Sequence, residues 1–198
     1  MGQKMKKKIA ITGGIGSGKS SVLKILGERG YPIFSCDAIY REIIDTPAYI
    51  QKIEKVFPHC VIEGKIDKKL LSNEVFKNKK KLAILNAIAH PMIMERLLKS
   101  MDNCAGEIVF AEVPLLFEGN FENLFDKVIV VVRSKEKIIA SVIERDQISL
   151  NEVEDRIASQ FDFEAPSTEQ RLKNDNVIFL KNEEDFSSLK NRVEALKF

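Results

Sequence analysis

The sequence predicts an α/β fold in three layers, with a mainly parallel sheet of five strands covered by helices on both faces. Three observations lead there. Short apolar runs recur at 9–11, 31–34, 108–118, 127–132 and 176–180, the third broken at Pro114, and the third and fourth are rich in β-branched residues. Their apolar character is continuous rather than alternating, as expected of strands buried on both sides. Between them apolar residues return every three or four positions, which reads as helix, and strands interleaved with helices assemble into parallel sheets. A chain of 198 residues fits one domain of this kind.

The opening segment KKKIAITGGIGSGKSSVLKILGERG reads as strand, glycine loop and helix. Ile9, Ala10 and Ile11 are stopped by glycines, and Val22, Leu23, Ile25 and Leu26 then recur at helical spacing. Tyr31 to Phe34 form a second short strand ending at Ser35, Cys36 and Asp37. From Ile39 to about Lys99 the pattern is mostly helical, with turns at Pro47, Pro58 and Gly64. Pro91 is expected to end or kink one helix, or to open the next at its first turn. The lysines at 79–81 read as a solvated helix face, with an anion patch as the alternative. KVIVVV at 127–132 is the most strand-like piece of the chain. The segment after Arg133 is charged and helical, NVIFL at 176–180 is the fifth strand, and Leu189, Val193 and Leu196 mark a terminal helix.

Charge and composition exclude several classes. Lys plus Arg number 31 and Asp plus Glu 29, a net charge of +2, so no basic stripe points to nucleic acid. With 44% apolar and 30% charged residues the chain is neither disordered nor membrane-embedded. The basic start MGQKMKKK is followed by no apolar stretch of signal-peptide type, and no run approaches the roughly 18 residues that span a bilayer. No stable membrane association is expected. Cys36, Cys60 and Cys104 are odd in number and widely spaced, which favours a reducing, cytoplasmic setting over a disulfide or zinc framework.

The strongest chemical signal is Gly13-Gly14-Ile15-Gly16-Ser17-Gly18-Lys19-Ser20, a complete GxxxxGK[ST] pattern between a strand and a helix. Glycines let backbone N–H groups converge on phosphate oxygens, and the helix start adds partial positive charge there. Gly14 through Ser20, with Ser21, are therefore expected to hold the nucleotide phosphates. Lys19 reaches toward the β- and γ-phosphates, and the Ser20 hydroxyl is a ligand for Mg²⁺. The Lys-Ser pair has no task in a dinucleotide site, and no Asn-Lys-x-Asp segment is present for guanine, so ATP is favoured over GTP. A motor or helicase does not fit the length.

A kinase also needs groups for the acceptor. Asp37, just past the second strand, is placed to accept or orient an acceptor hydroxyl, with a helix N-cap as its alternative role. Glu112, late in the third strand, is the candidate carboxylate for Mg²⁺, with Glu118 as competitor. Beyond Pro114, Leu115 is an acceptor contact or a core residue. Arg145 and Arg156 are candidates to meet the phosphates, Arg145 during transfer, and an arginine-bearing lid would exclude water. For each the alternative is a surface ion pair with Asp146, Glu152 or Asp155. His90 is an acceptor contact or a helix cap beside Pro91.

ITGGIGSGKSSV, SCDAIYR at 35–41, EGKIDKKLL at 63–71, AIAHP at 87–91, EVPLLFE at 112–118 and ERDQISLNEVEDRIASQ at 144–160 together resemble the dephospho-CoA kinase family. The resemblance implies one P-loop NTPase domain over 1–198, with a helical acceptor-binding insertion at 38–105 and a lid at 140–175. It implies transfer of the γ-phosphate of ATP to the ribose 3′-hydroxyl of dephospho-CoA, with Mg²⁺. Asp37 corresponds to the acceptor-activating acid and Arg145 to the lid arginine. The family is cytoplasmic in bacteria, and its members are monomers or weak homo-oligomers. Rival readings are another small-molecule or nucleoside monophosphate kinase, and a nucleotide-dependent switch. The chain departs from the family pattern at several positions. Ser35 stands where an acid is usual, Phe57-Pro58 replaces FG, Asp67-Lys68 replaces an Asp-Arg pair, and Ser141 replaces an arginine. The stretch after Gln160 is longer than usual, and the customary Asn after VI is not where it is expected in NVIFLKN. Arg171 and Lys173 are candidates to supply the charge that Ser141 lacks.

Overall fold

The strands are β1 (Lys7–Thr12), β2 (Ile33–Ser35), β3 (Val61–Ile62), β4 (Lys65–Ile66), β5 (Ile108–Glu112), β6 (Lys127–Val132) and β7 (Val177–Lys181). The helices among the described residues are α1 (Lys19–Glu28), α2 (Cys36–Ile43), α3 (Pro47–Val56), α4 (Lys68–Phe76), α5 (Lys79–Asn103), α6 (Lys135–Asp146), α7 (Leu150–Ala158) and α8 (Phe186–Glu194). This computed structural model describes residues 6–198 except 77, 164, 166, 167, 169–171 and 173–175. The expected five-stranded sheet is present in the order β2-β5-β1-β6-β7. β1 runs parallel to β5 and β6, and β6 parallel to β7. β2 is shorter than the apolar run predicted, but the backbone contact begins earlier, where Phe110 N donates to Pro32 O at 3.0 Å. The third apolar run leaves the sheet after Glu112 and turns through Pro114, as the proline requires.

Both faces of the central strands are covered. Ile9, Ile11, Ile129, Val131 and Leu180 pack with Val22, Ile25 and Leu26 of α1 and with Leu189 and Val193 of α8. The alternate residues Ala10, Val109, Ala111 and Val130 are equally inaccessible, which is why these strands read as unbroken apolar runs. Tyr31, Phe110 and Phe198 close the edge of the first cluster, their rings meeting edge to face.

The chain divides into two compact units, one running to Ile33 and resuming from Cys104 to Phe198, the other spanning Phe34–Asn103. In the second unit, Ser35 caps α2 by accepting from Ala38 N at 3.4 Å, and Thr46 caps α3 ahead of Pro47. Phe57 is buried and Pro58 begins a short 3₁₀ turn, so the FP pair is a packing and turn element. The mostly helical reading of this stretch misses the hairpin β3–β4. Glu63 and Gly64, with φ of 50° and 73°, make its two-residue turn, a conformation with positive φ at both positions that matches strand twist. Asp67 then caps α4, its Oδ1 accepting from Lys69 N and Leu70 N at 2.9 Å, while Lys68 pairs with Asp45 at the surface. Pro91 neither ends a helix nor opens one: it lies inside α5, which continues for a further 12 residues to Asn103. Ala89, Met94, Leu97 and Met101 are buried on both sides of the proline, and side-chain burial offsets the single backbone bond it cannot make. Of the lysine run, Lys79 and Lys80 are exposed and Lys81 is held by Glu74.

Candidate active site

The register of β1 against β5 builds the site. Ile11 lies opposite Glu112, so the end of β5 emerges beside the strand that feeds the glycine loop. The loop then turns through Gly13, Gly16 and Gly18 at φ of 143°, 68° and 100°. All three glycines answer to close neighbours as well as to φ, Gly13 and Gly18 most tightly. A Cβ on Gly13 would lie 2.2 Å from Val131 O, and one on Gly18 would lie 2.3 Å from Asn182 Nδ2. Lys19, largely buried, donates from Nζ to Gly13 O at 2.9 Å and Gly14 O at 2.8 Å, which folds the ammonium over the loop's own carbonyls. Ser20 lies in the first turn of α1 with its hydroxyl 3.1 and 3.0 Å from the two Glu112 carboxylate oxygens. Ser21 is half-buried in the same turn, its N–H on Gly18 O. Of the two carboxylates weighed, Glu112 therefore stands at Ser20, whereas Glu118 accepts from Phe161 N at 2.9 Å.

The loop is tied down from three directions by residues that the motif does not contain. Asn182, just past β7, donates from Nδ2 to Ser17 O at 2.8 Å and is itself buried. Gln160, after α7, accepts from Ile15 N at 2.7 Å. Arg133, after β6, donates from Nη1 to Gly16 O at 3.3 Å. No local pattern singles these three out, because each acts across more than a hundred residues of chain. An asparagine does follow the last strand, but at 182, beyond a strand that runs to Lys181. The Ile15 side chain joins a small cluster around Ile138, Val142 and Val153, so α6 and α7 are packed on the loop, while the flanking residues Arg133 and Gln160 hydrogen-bond to it. A cavity of about 380 Å³ opens here, lined by Gly14, Ile15, Ser17, Ile138, Ile157 and Phe163 among others.

Arg145 and Arg156 converge on one carboxylate. Asp146 receives Arg145 Nε at 2.7 Å and Nη2 at 3.0 Å, and Arg156 Nη1 at 3.1 Å. The ion pair foreseen as their alternative role thus exists, with Asp146 rather than Glu152 or Asp155, and Glu152 instead completes a capping box with Ser149. The bidentate bond to Arg145 is the main cause that holds the Asp146 carboxyl below the usual range, and the same bond raises Arg145 further. Leu115 is half-buried in the turn after β5, next to the core residues Leu116 and Phe117.

Asp37 and His90 belong to the second unit. Asp37 is exposed in the first turn of α2 and is not its N-cap, a role taken by Ser35. Its neighbour Cys36 is buried. His90 is half-buried in the middle of α5 and therefore caps nothing. Arg171 and Lys173 lie outside the described residues.

Among the described residues no group of three or more His, Cys, Asp or Glu could hold a metal ion by itself. The oxygen pair at Ser20 and Glu112 suits Mg²⁺, which commonly takes one or two protein oxygens with the rest from phosphates and water. Among the described residues no helix is long and apolar enough to cross a membrane.

A parallel α/β sheet whose first strand runs into a GxxxxGKS loop and helix, with a carboxylate at the adjacent strand end, defines a P-loop kinase. The dephospho-CoA kinase family profile matches residues 7–187. A dephospho-CoA kinase of Fusobacterium nucleatum is 34% identical over 188 residues, 94% of each chain. Among solved structures, the TT1252 protein of Thermus thermophilus superposes with a TM-score of 0.79 at 30% identity, covering 97% of this chain and 96% of that one. A dephospho-CoA kinase from Campylobacter jejuni superposes at 0.61 with 29% identity, covering 96% and 95%. The chain belongs to the dephospho-CoA kinase family.

Proposed function

We propose that the protein transfers the γ-phosphate of ATP to the ribose 3′-hydroxyl of dephospho-CoA, giving coenzyme A and ADP. The observation that carries this reading is the complete phosphate loop with Ser20, in the first turn of α1, paired to Glu112 at the end of β5, in a chain of this family. Gly14 through Ser21 would cradle the triphosphate, with Lys19 exchanging its carbonyl partners for phosphate oxygens. Ser20 and Glu112 would hold Mg²⁺, which when bound neutralises charge on the β- and γ-phosphates. Asp37 takes the proton of the acceptor hydroxyl as its oxygen bonds to the γ-phosphorus and the bond to the β–γ bridging oxygen breaks. Arg145 and Arg156 meet the charge on the transferring group, with Asp146 keeping both guanidinium groups at one point until then. His90 and Leu115 contact the acceptor. The setting is the cytoplasm, where the three free cysteines stay reduced, and the working form is a monomer or weak homo-oligomer.

The test is ADP formation from Mg-ATP with dephospho-CoA, beside a no-acceptor control and a panel of nucleoside monophosphates, with the product identified by mass. Acceptor-dependent ADP release with coenzyme A as product is expected. Turnover only with another acceptor would overturn the substrate. ATP binding with no acceptor-stimulated turnover would overturn the kinase reading in favour of a switch.

A further inference from the structure

One peptide unit of the phosphate loop is held from both sides. Gly14 O accepts from Lys19 Nζ at 2.8 Å and from Ser17 N at 3.3 Å. The N–H of the same unit, on Ile15, donates to Gln160 Oε1 at 2.7 Å. The unit is trans, so its C=O and N–H point in opposite directions, and the lysine and the glutamine stand on opposite sides of one plane. Half a turn of that plane would take Gly14 O away from the ammonium and the Ile15 N–H away from the glutamine together. Side-chain packing does little to oppose such a turn. The Ile15 side chain is anchored with Ile138, Val142 and Val153, but the glycine before it brings no Cβ to resist rotation of the peptide between them. The hydrogen bond to Gln160 fixes the plane from its N–H side.

Gln160 is itself placed by its surroundings. Its N–H donates to Ile157 O at 3.1 Å, at the end of α7. The next residue, Phe161, donates from N to Glu118 Oε1 at 2.9 Å, and the rings of Phe161 and Phe163 lie 5.3 and 6.0 Å from that of Phe117. The residue type also fits the task. Only an acceptor can meet the Ile15 N–H, and the amide oxygen of glutamine supplies one without adding negative charge at an anion-binding loop.

Resting on the kinase reading above for the role of Lys19, we propose that Gln160 is a positioning residue for Lys19. It acts through the Gly14–Ile15 peptide, so that the end of α7 sets where the ammonium is held before it meets phosphate. The test reads Lys19 directly, as the rate of amine acylation of the nucleotide-free protein followed by mass spectrometry, with the exposed Lys24 of the same helix as internal reference. ATP affinity is measured beside it by calorimetry, without acceptor. The variants are Gln160→Met, which removes the acceptor, Gln160→Asn, which keeps the amide but shortens its reach, and Gln160→Glu, which keeps an acceptor at full reach. All are measured in about 0.5 M salt, which screens the added charge.

Gln160→Met and Gln160→Asn are expected to raise the Lys19 rate relative to Lys24 and to lower ATP affinity, each by about three- to tenfold, the range of one net hydrogen bond. Gln160→Glu is expected to match the wild type in both. An unchanged Lys19 rate in Gln160→Asn overturns the proposal, since the plane then holds without the glutamine. A faster Lys19 with wild-type ATP affinity also overturns it, because the placement would not serve phosphate. If Gln160→Glu behaves like Gln160→Met, the acceptor is not what matters and the proposal fails. Acylation needs neither nucleotide nor turnover, so a wild type that fails to phosphorylate dephospho-CoA would sink the functional reading while the Lys19 rate still decides Gln160.

Discussion

Asp146 holds two arginines at once, and its titration reports on that pairing. Its carboxyl is lowered first by the hydrogen bonds from Arg145, then by the charges of Arg145 and Arg156. A lowered carboxylate contributes stability above its unfolded value of about 4 and loses it as pH falls through the lower folded value. NMR titration is expected to find the Asp146 midpoint below the ordinary aspartate value, and Arg145→Ala to move it upward; an unmoved midpoint would mean that the pair does not persist in solution. Asp37→Asn keeps the size of the side chain but not its basicity. ATP binding is expected to survive, while turnover at saturating acceptor falls by about 10² or more. Near-normal turnover would remove Asp37 from proton transfer. Gly18→Ala has no comfortable outcome, because φ is 100° and the new Cβ would stand 2.3 Å from Asn182 Nδ2. Asn182 must then release Ser17 O, and a loss on the order of 1–3 kcal/mol in stability is expected by denaturant unfolding, together with weakened ATP binding.

At the scale of elements, α7 is the piece whose stability is most separable from the sheet. It is one short helix of 9 residues whose single buried side chain is Val153. Its start rests on the capping box, in which Ser149 Oγ accepts from Glu152 N while Ser149 N donates to Glu152 Oε2. Ser149→Ala is expected to cost about 1 kcal/mol, read as faster hydrogen exchange confined to α7 and the adjoining turns. Slower or unchanged exchange would show that the packing of Val153 with Ile138 and Val142, rather than the cap, holds the helix. The sheet elements were legible because burial on both faces leaves continuous apolar runs. The hairpin at 61–66 was not, since two residues per strand are too few to show a period; Gly64 marks its turn correctly, but a turn alone does not show the strands on either side of it. At Pro91 the helix neither ends nor begins, for a related reason: the local rule allows an end, a kink or a start, and the burial of Met94, Leu97 and Met101 beyond it is a tertiary fact.

For the whole molecule, ligand binding and folding are linked. The loop draws together β1, α1, the end of β6, the residue after β7 and the segment after α7, so nucleotide bound there stabilises the unit to Ile33 and from Cys104 as a body. Mg-ATP at about a hundred times its dissociation constant adds about 2.7 kcal/mol, which for a chain of this size raises the thermal midpoint by about 5–10 °C. The rise is expected with ATP and a non-hydrolysable analogue alike. No rise with either would mean that the loop does not bind nucleotide.

Short-range patterns in the sequence determined the fold class, the phosphate loop and its flanking strand and helix, and the family, because a nest of N–H groups and a strand buried on both faces are each written in consecutive residues. Folding alone decided which groups support that loop. Register brought Glu112 rather than Glu118 to Ser20, and strand ends far apart in the chain delivered Arg133 and Asn182. Capping was likewise decided by geometry, which gave Ser35 rather than Asp37 the start of α2. A side chain's neighbours across the sheet depend on register and crossover, and neither is carried by the residues next to it.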